Sequence, residues 1–144
     1  MAIGQRSLER RLRRETQRIS SQHQQLDSLY AMIAQALATG SVEAVRNAFL
    51  RLSDALEAHV DLEDDFFFPA LRGLRPDLVS DLEALSEQHR GFRTDLAELN
   101  RALEGGHLKR AEVSLSEFVN RLAAHEEREK KLLARIRASE DASG

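Results

Sequence analysis

Two pairs of residues, His59 with Glu63 and His125 with Glu129, have the spacing His-x3-Glu inside segments with the periodicity of an amphipathic helix. Residues four apart on an α-helix lie on one face, about 5.4 Å apart along the axis, so each imidazole and its carboxylate point into the same volume. That spacing is typical of metal ligands. It favours a fold in which two helices turn these faces toward a common interior.

Two further histidines extend this pattern into an internal repeat. Each of them, His23 in the first half and His89 in the second, lies 36 residues before the histidine of a His-x3-Glu pair. A shift of 66 residues superimposes the two halves, and it also carries Gly40 onto Gly106. The simplest interpretation is one helical hairpin that occurs twice.

The composition limits the chemistry that the chain can perform. Its 144 residues suit a single domain, residues 1–144, and a formal net charge of −3 provides no field that would attract nucleic acid. Cysteine is absent, which excludes disulfides, thiolate ligands and cysteine nucleophiles. Any metal must therefore be held by nitrogen and oxygen.

The sequence also carries an expectation about location. No run of residues approaches the roughly 18 consecutive apolar residues that a membrane-spanning helix needs. The first residues lack the apolar segment of a secretory signal peptide. We therefore expect a cytoplasmic protein that does not associate with a membrane.

Helix-forming residues dominate the chain, and only two prolines and seven glycines interrupt them, which predicts an all-α fold. Glycine turns at Gly40 and Gly106 would join antiparallel neighbours, with Ser41 as a helix N-cap. Pro69 is expected to end the second helix, and residues 139–144 to fray. The architecture predicted is an up-down-up-down four-helix bundle with helices at about 7–38, 41–67, 76–104 and 108–138.

In such a bundle the candidate ligands lie at one level. At about 1.5 Å per residue, His23 and His59 are both about 26 Å from the turn at Gly40, and the second hairpin repeats this arrangement. Burying unpaired carboxylates costs several kcal/mol, and a hydrogen-bonded polar layer, the alternative, would need cationic partners, of which only Arg93 is near. The six candidate metal ligands are His23, His59, Glu63, His89, His125 and Glu129.

Residues around these six carry further predictions. Asp27 and Arg93 occupy repeat-related positions, so we hypothesise that they pair across the bundle or orient bound water. Tyr30 is interpreted as a packed core residue in preference to a redox-active one, and His107 as a surface residue in a turn. A dry apolar layer over the site is expected from Leu26, Leu56, Phe92 and Leu122.

This set of motifs, covering nearly the whole chain, resembles the hemerythrin family, and in particular its HHE cation-binding domains. The resemblance implies two non-haem iron ions bridged by two carboxylates and by an oxo or hydroxo group. By position, the four histidines would be terminal ligands, two to each ion, and Glu63 and Glu129 would be the bridges. Nitrogen and carboxylate ligands also suit manganese or zinc, so iron comes from the resemblance alone.

The sequence departs from the oxygen-carrying hemerythrins at two positions. Arg93 stands where those proteins have a further histidine, and Glu129 stands where they have aspartate. The expected site is therefore more open and more symmetric than theirs, which makes purely reversible oxygen carriage doubtful. Both ions could take water, O2, peroxide or NO.

The function expected is that of a non-haem di-iron protein that binds or reacts with O2, peroxide or NO in a sensing or protective role. No nucleophile and no general acid–base pair is visible outside the metal set, so enzymatic turnover stays open. One alternative is an interaction module that responds to iron or oxygen, since metal binding is coupled to folding. Another is storage of oxygen or iron without turnover. The sequence identifies no protein partner.

Overall fold

A computed structural model describes the backbone of residues 2–143 and the side chains of residues 6–138. Four long helices dominate it, and no strand occurs within those backbone limits. The all-α bundle predicted from the sequence is confirmed. The elements are α1 (Ala2–Thr39), α2 (Val42–Leu62), a π-helical segment (Glu63–Phe67), α3 (Phe68–Leu74), a 3-10 turn (Pro76–Leu78), α4 (Val79–Glu104) and α5 (Leu108–Ser143).

Both hairpin turns contain a glycine with positive φ, and the first also has a serine that caps the following helix. Gly40 and Gly106 have φ of +70° and +74°, the left-handed region in which a residue with a Cβ is strained. Ser41 begins α2 by accepting a hydrogen bond on its side chain from the Ala44 backbone N–H at 3.2 Å. Each turn therefore reverses the chain tightly, and α1 packs against α2 while α4 packs against α5.

The prediction that Pro69 ends the second helix is wrong. Between α2 and α3 the chain forms a π-helical turn, in which the Phe68 N–H bonds the carbonyl of Glu63 five residues earlier. Pro69 then lies in the first turn of α3, where a missing N–H is tolerated, so helical structure continues to Leu74. Helical structure is interrupted at Arg75, between α3 and the 3-10 turn, where the backbone is neither helical nor extended.

At the other end of the chain, the helical backbone of α5 continues to Ser143. The predicted fraying concerned residues 139–144. Their side chains, and Gly144 altogether, lie outside the described residues, so this stays a prediction.

Two apolar clusters form the core, and the candidate ligands lie between them along the bundle. The cluster nearer the hairpin turns contains the predicted dry layer, Leu26, Leu56, Phe92 and Leu122, all buried. The cluster at the opposite end includes Phe67 and Phe68, both 1 % exposed, which close that end. Arg11 covers the partly buried Phe66 ring, with its guanidinium carbon 4.0 Å from the ring centroid. Among the described residues, no helix combines the length and the apolar character needed to cross a membrane.

Candidate metal centre

All six predicted ligands meet in the middle of the bundle. Helix α1 supplies one histidine, α2 one histidine with a glutamate directly after its end, α4 one histidine, and α5 a histidine and a glutamate. None of the six side chains belongs to a residue more than 4 % exposed. The structure therefore brings together His23, His59, Glu63, His89, His125 and Glu129 in one buried layer.

Each glutamate reaches across the two hairpins. Glu63 Oε1 lies 3.2 Å from the Nε2 atoms of both His59 and His89. Glu129 places Oε1 3.5 Å from His23 Nε2 and Oε2 3.6 Å from His125 Nε2. Both carboxylates thus join a histidine of the first hairpin to one of the second, which is the arrangement that bridging ligands require.

The donor atoms fall into two groups, each compact enough for one ion. Within each group the donor atoms lie within 4.8 Å of one another. Ligands about 2.1 Å from a shared ion are separated by roughly 3.0 Å at a right angle and roughly 3.4 Å at a tetrahedral angle, which matches the distances above. One group is His23, His59, Glu63 and Glu129, and the other is Glu63, His89 and His125.

Most of these inward-facing atoms have no hydrogen-bond partner among the described residues. They are the Nε2 atoms of His23 and His59 and all four oxygens of Glu63 and Glu129. A buried polar atom without a partner costs free energy, and a buried carboxylate costs more. The donor set fits cations between these atoms better than a hydrogen-bonded polar layer, in which they would be paired.

Glutamine side chains orient two of the histidines from outside. His59 Nδ1 lies 2.7 Å from Gln22 Oε1, and His125 Nδ1 lies 2.6 Å from Gln88 Oε1. An amide oxygen only accepts, so each Nδ1 carries the proton and each Nε2 presents a lone pair to the centre, the tautomer that a metal ligand needs. Gln22 and Gln88 are related by the 66-residue shift, a signal that the sequence analysis did not use.

A carboxylate performs the same task for His89. Asp64, in the π-helical turn, accepts from His89 Nδ1 at 2.9 Å and from Ser86 Oγ at 3.0 Å. Burial raises the pKa of Asp64, but the hydrogen bond from His89, with Ser86 and Arg93, outweighs burial and holds that pKa below its usual value. The Phe68 ring stacks on the His89 ring, 5.6 Å between centroids, and fixes its plane.

The hypothesis that Arg93 pairs with Asp27 is wrong. Helix α4 packs against α2 at this level, and the Arg93 guanidinium lies 3.1 Å from Asp61 and 3.5 Å from Asp64. Asp27 instead lies on α1 close to Glu126. Arg93 is 43 % exposed and faces away from the buried donors, so it supplies neither a ligand nor a buried counter-ion.

Burial controls the protonation of the centre. It lowers the pKa of His59 to about 4, with further lowering by His23 and His89, and it lowers the pKa of His125 to about 4 together with His89. Burial and the facing Glu129 carboxylate raise the pKa of Glu63 well above its usual range. At pH 7 His59 and His125 are therefore neutral, and burial beside Glu129 favours the protonated form of Glu63 as long as no cation is bound.

Glu126 is a buried polar residue that the sequence analysis missed. It is 5 % exposed and accepts a hydrogen bond from the Tyr30 hydroxyl at 3.0 Å. Burial raises the pKa of Glu126 to about 7, with Asp27 adding to this effect and His23 and Tyr30 opposing it. Burial, together with Glu126, also raises the pKa of Tyr30. His107 is exposed in its turn, as predicted.

Comparison with known proteins identifies one family. The family model described as hemerythrin HHE cation binding domain matches residues 14–136. This range includes all six buried donors. A search of curated proteins returned no significant match, and a search of solved structures returned none either.

Metal binding is expected to displace the proton held by Glu63 and Glu129, because a cation favours two ionised carboxylates. His59 and His125, with pKa values of about 4, contribute no proton at pH 7. Below the raised pKa of Glu63, affinity for Zn²⁺ should therefore fall about tenfold per unit of decreasing pH for each proton displaced. Isothermal titration in buffers of different ionisation enthalpy counts these protons. Glu63→Gln should release fewer than Glu127→Gln, a control at an exposed position; pH-independent affinity would contradict the assignment.

Removing the outer hydrogen bonds should weaken binding without removing a ligand. Gln22→Leu and Gln88→Leu are each expected to lower Zn²⁺ affinity about 10- to 100-fold, because the imidazole they orient is no longer held with Nε2 inward. Competition with a chromophoric chelator measures the change. Gln25→Leu, on the exposed face of α1, is the matched control. Equal affinity in all three variants would show that the glutamines have no role in the site.

Proposed function

The chain belongs to the hemerythrin HHE cation-binding family, a metal-binding family, and from this premise we propose that it holds two non-haem iron ions and binds or reacts with O2, peroxide or NO. One observation carries the proposal: two compact donor groups share the buried Glu63, and the oxygens of both glutamates have no hydrogen-bond partner within the part of the chain that the structure describes. Manganese or zinc would satisfy the same nitrogen and oxygen donors, and iron is proposed on the strength of the family.

In this proposal His23 and His59 are terminal ligands of one ion, and His89 and His125 of the other. Glu63 and Glu129 bridge the two, because each already spans a histidine from either hairpin. Two divalent ions bring four positive charges to a layer in which the two carboxylates supply two negative ones. A bridging hydroxide or oxo group would balance more of this charge.

The number of protein donors leaves room for a small ligand. With both carboxylates bridging, each ion has four protein donors, two histidines and two glutamates, whereas non-haem iron commonly takes up to six. When bound, iron would supply the redox chemistry toward O2, peroxide or NO. The protein supplies neutral imidazoles, a fixed ring orientation and the apolar layer of Leu26, Leu56, Phe92 and Leu122, which keeps bulk water out.

The contacts of the Arg93 side chain support reactivity or sensing over simple oxygen carriage. Its side chain pairs with Asp61 and Asp64 toward the surface, so the position after His89 at which oxygen carriers have a fifth imidazole contributes no donor here. The ion between His89 and His125 would keep an additional open position. A protective role toward peroxide, or a sensory one, follows from that openness.

Removing a bridge tests the assignment. Glu63→Ala and Glu129→Ala are each expected to lose most of the dimetal content, because each carboxylate is shared by both proposed positions. Elemental analysis of protein loaded anaerobically with ferrous ion measures the stoichiometry, with Glu127→Ala as a control on an exposed neighbour. Two ions per chain in both bridge variants would refute the bridging roles.

A further inference from the structure

Next to the six buried donors, the first and second halves of the repeat differ at a pair of residues in contact, Tyr30 and Glu126. Tyr30 on α1 donates its hydroxyl hydrogen to Glu126 Oε1 on α5, at 3.0 Å. Glu126 directly follows the proposed ligand His125, and Tyr30 lies on α1 seven residues after the proposed ligand His23. The hydrogen bond therefore joins two helices that each supply metal ligands.

The internal repeat shows that the packing does not require this polar pair. A shift of 66 residues relates Tyr30 to Leu96 and Glu126 to Val60. Leu96 and Val60 are 4 % and 2 % exposed and belong to the apolar core. The same place in the second half is thus filled by two aliphatic side chains, which need no hydrogen bond. A partly buried tyrosine against a buried carboxylate is the costlier solution, which indicates a purpose other than stability.

Composition makes Tyr30 unique in its chemistry. It is the only tyrosine of the chain, and tryptophan and cysteine are absent. The two methionines, Met1 and Met32, are oxidised by oxygen addition at sulfur. Because tryptophan and cysteine are absent, Tyr30 is the side chain of this sequence that is most readily oxidised by loss of one electron.

We propose that Tyr30 is the one-electron donor of the metal centre and that Glu126 takes up its proton. The inference rests on the proposed function in one respect, since it needs iron at the centre and hydrogen peroxide as the oxidant. The role given to Glu126 does not depend on either. Tyr30 would protect the site by supplying an electron when peroxide arrives and no external reductant is present.

The step balances in electrons and protons. Tyr30 loses one electron and its O–H bond breaks, while the proton crosses the existing hydrogen bond and forms an O–H bond on Glu126 Oε1. The products are a neutral phenoxyl radical and a neutral carboxyl group. Cleavage of the peroxide O–O bond to two waters takes two electrons and two protons. The second electron would come from a bound ferrous ion, which would become ferric, and the two protons would come from solvent.

The first experiment looks for the radical. Iron-loaded protein is mixed with hydrogen peroxide, frozen, and examined by electron paramagnetic resonance. The wild type and Glu127→Gln should give a tyrosyl signal, Tyr30→Phe should give none, and Glu126→Gln should give a signal lowered about tenfold or more, since a side-chain amide cannot take up the proton. Metal content and peroxide consumption are recorded for each variant.

Mass spectrometry provides a second readout. Trypsin releases residues 19–46 as one peptide containing Tyr30 and Met32. Fragment ions must distinguish hydroxylation of the tyrosine from sulfoxide at the methionine. Oxygen added at Tyr30 in the wild type and reduced in Glu126→Gln supports the proposal.

A metal-free experiment tests the proton acceptor by itself. A photogenerated ruthenium(III) complex oxidises Tyr30 in apoprotein, and flash photolysis gives the rate. Glu126→Gln should react about a hundredfold more slowly than Glu127→Gln, because it lacks the positioned base. Equal rates in these variants would overturn the role of Glu126.

The outcomes separate this inference from the proposed function. If the wild type consumes peroxide without a radical or an oxidised Tyr30, the donor role is refuted while the metal function stands. A radical of equal size in Tyr30→Phe would refute it as well. If the protein binds no iron, the proposed function fails and the donor role fails with it, and the apoprotein rates then decide only whether Glu126 is a base for Tyr30.

Discussion

The structure depends on a buried layer in which two carboxylates face four imidazole rings. Glu63 and Glu129 are at most 1 % exposed, and none of their oxygens has a hydrogen-bond partner among the described residues. Apolar packing on both sides of the layer keeps water away, so its charge has to be balanced from within. Cations held by the surrounding imidazoles are the arrangement that the six side chains can satisfy together.

The rest of the site serves that layer. Gln22, Gln88 and Asp64 each accept the Nδ1 proton of one histidine, which turns the Nε2 lone pair inward. Burial lowers the pKa of His59 and His125 to about 4, so they are neutral in the physiological range. A rigid, neutral set of nitrogen donors beside two carboxylates lets an incoming ion bind without reorganising the helices.

The sequence was sufficient for the bundle and for the meeting of the six donors, because the 66-residue repeat and the four-residue spacing both follow from helix geometry. The sequence was not sufficient where the backbone conformation of a turn, or the contacts between helices, determine which side chains meet. The π-helical turn lets helical structure continue through Pro69 and places Asp64 next to His89. No local sequence pattern predicts this turn. Arg93 turned toward Asp61 because α4 packs on α2 there. Glu126 was not singled out from the sequence, although its repeat partner Val60 could have indicated burial.

The most direct measurement is the iron content of protein purified without chelator and loaded anaerobically with ferrous ion, together with the near-ultraviolet spectrum before and after peroxide. The account predicts two iron ions per chain, one for each donor group, with charge-transfer absorption from a bridging oxygen ligand that changes when peroxide is added. Protein that retains zinc, or that holds no iron after loading, would contradict a redox centre and favour a structural role for the buried layer.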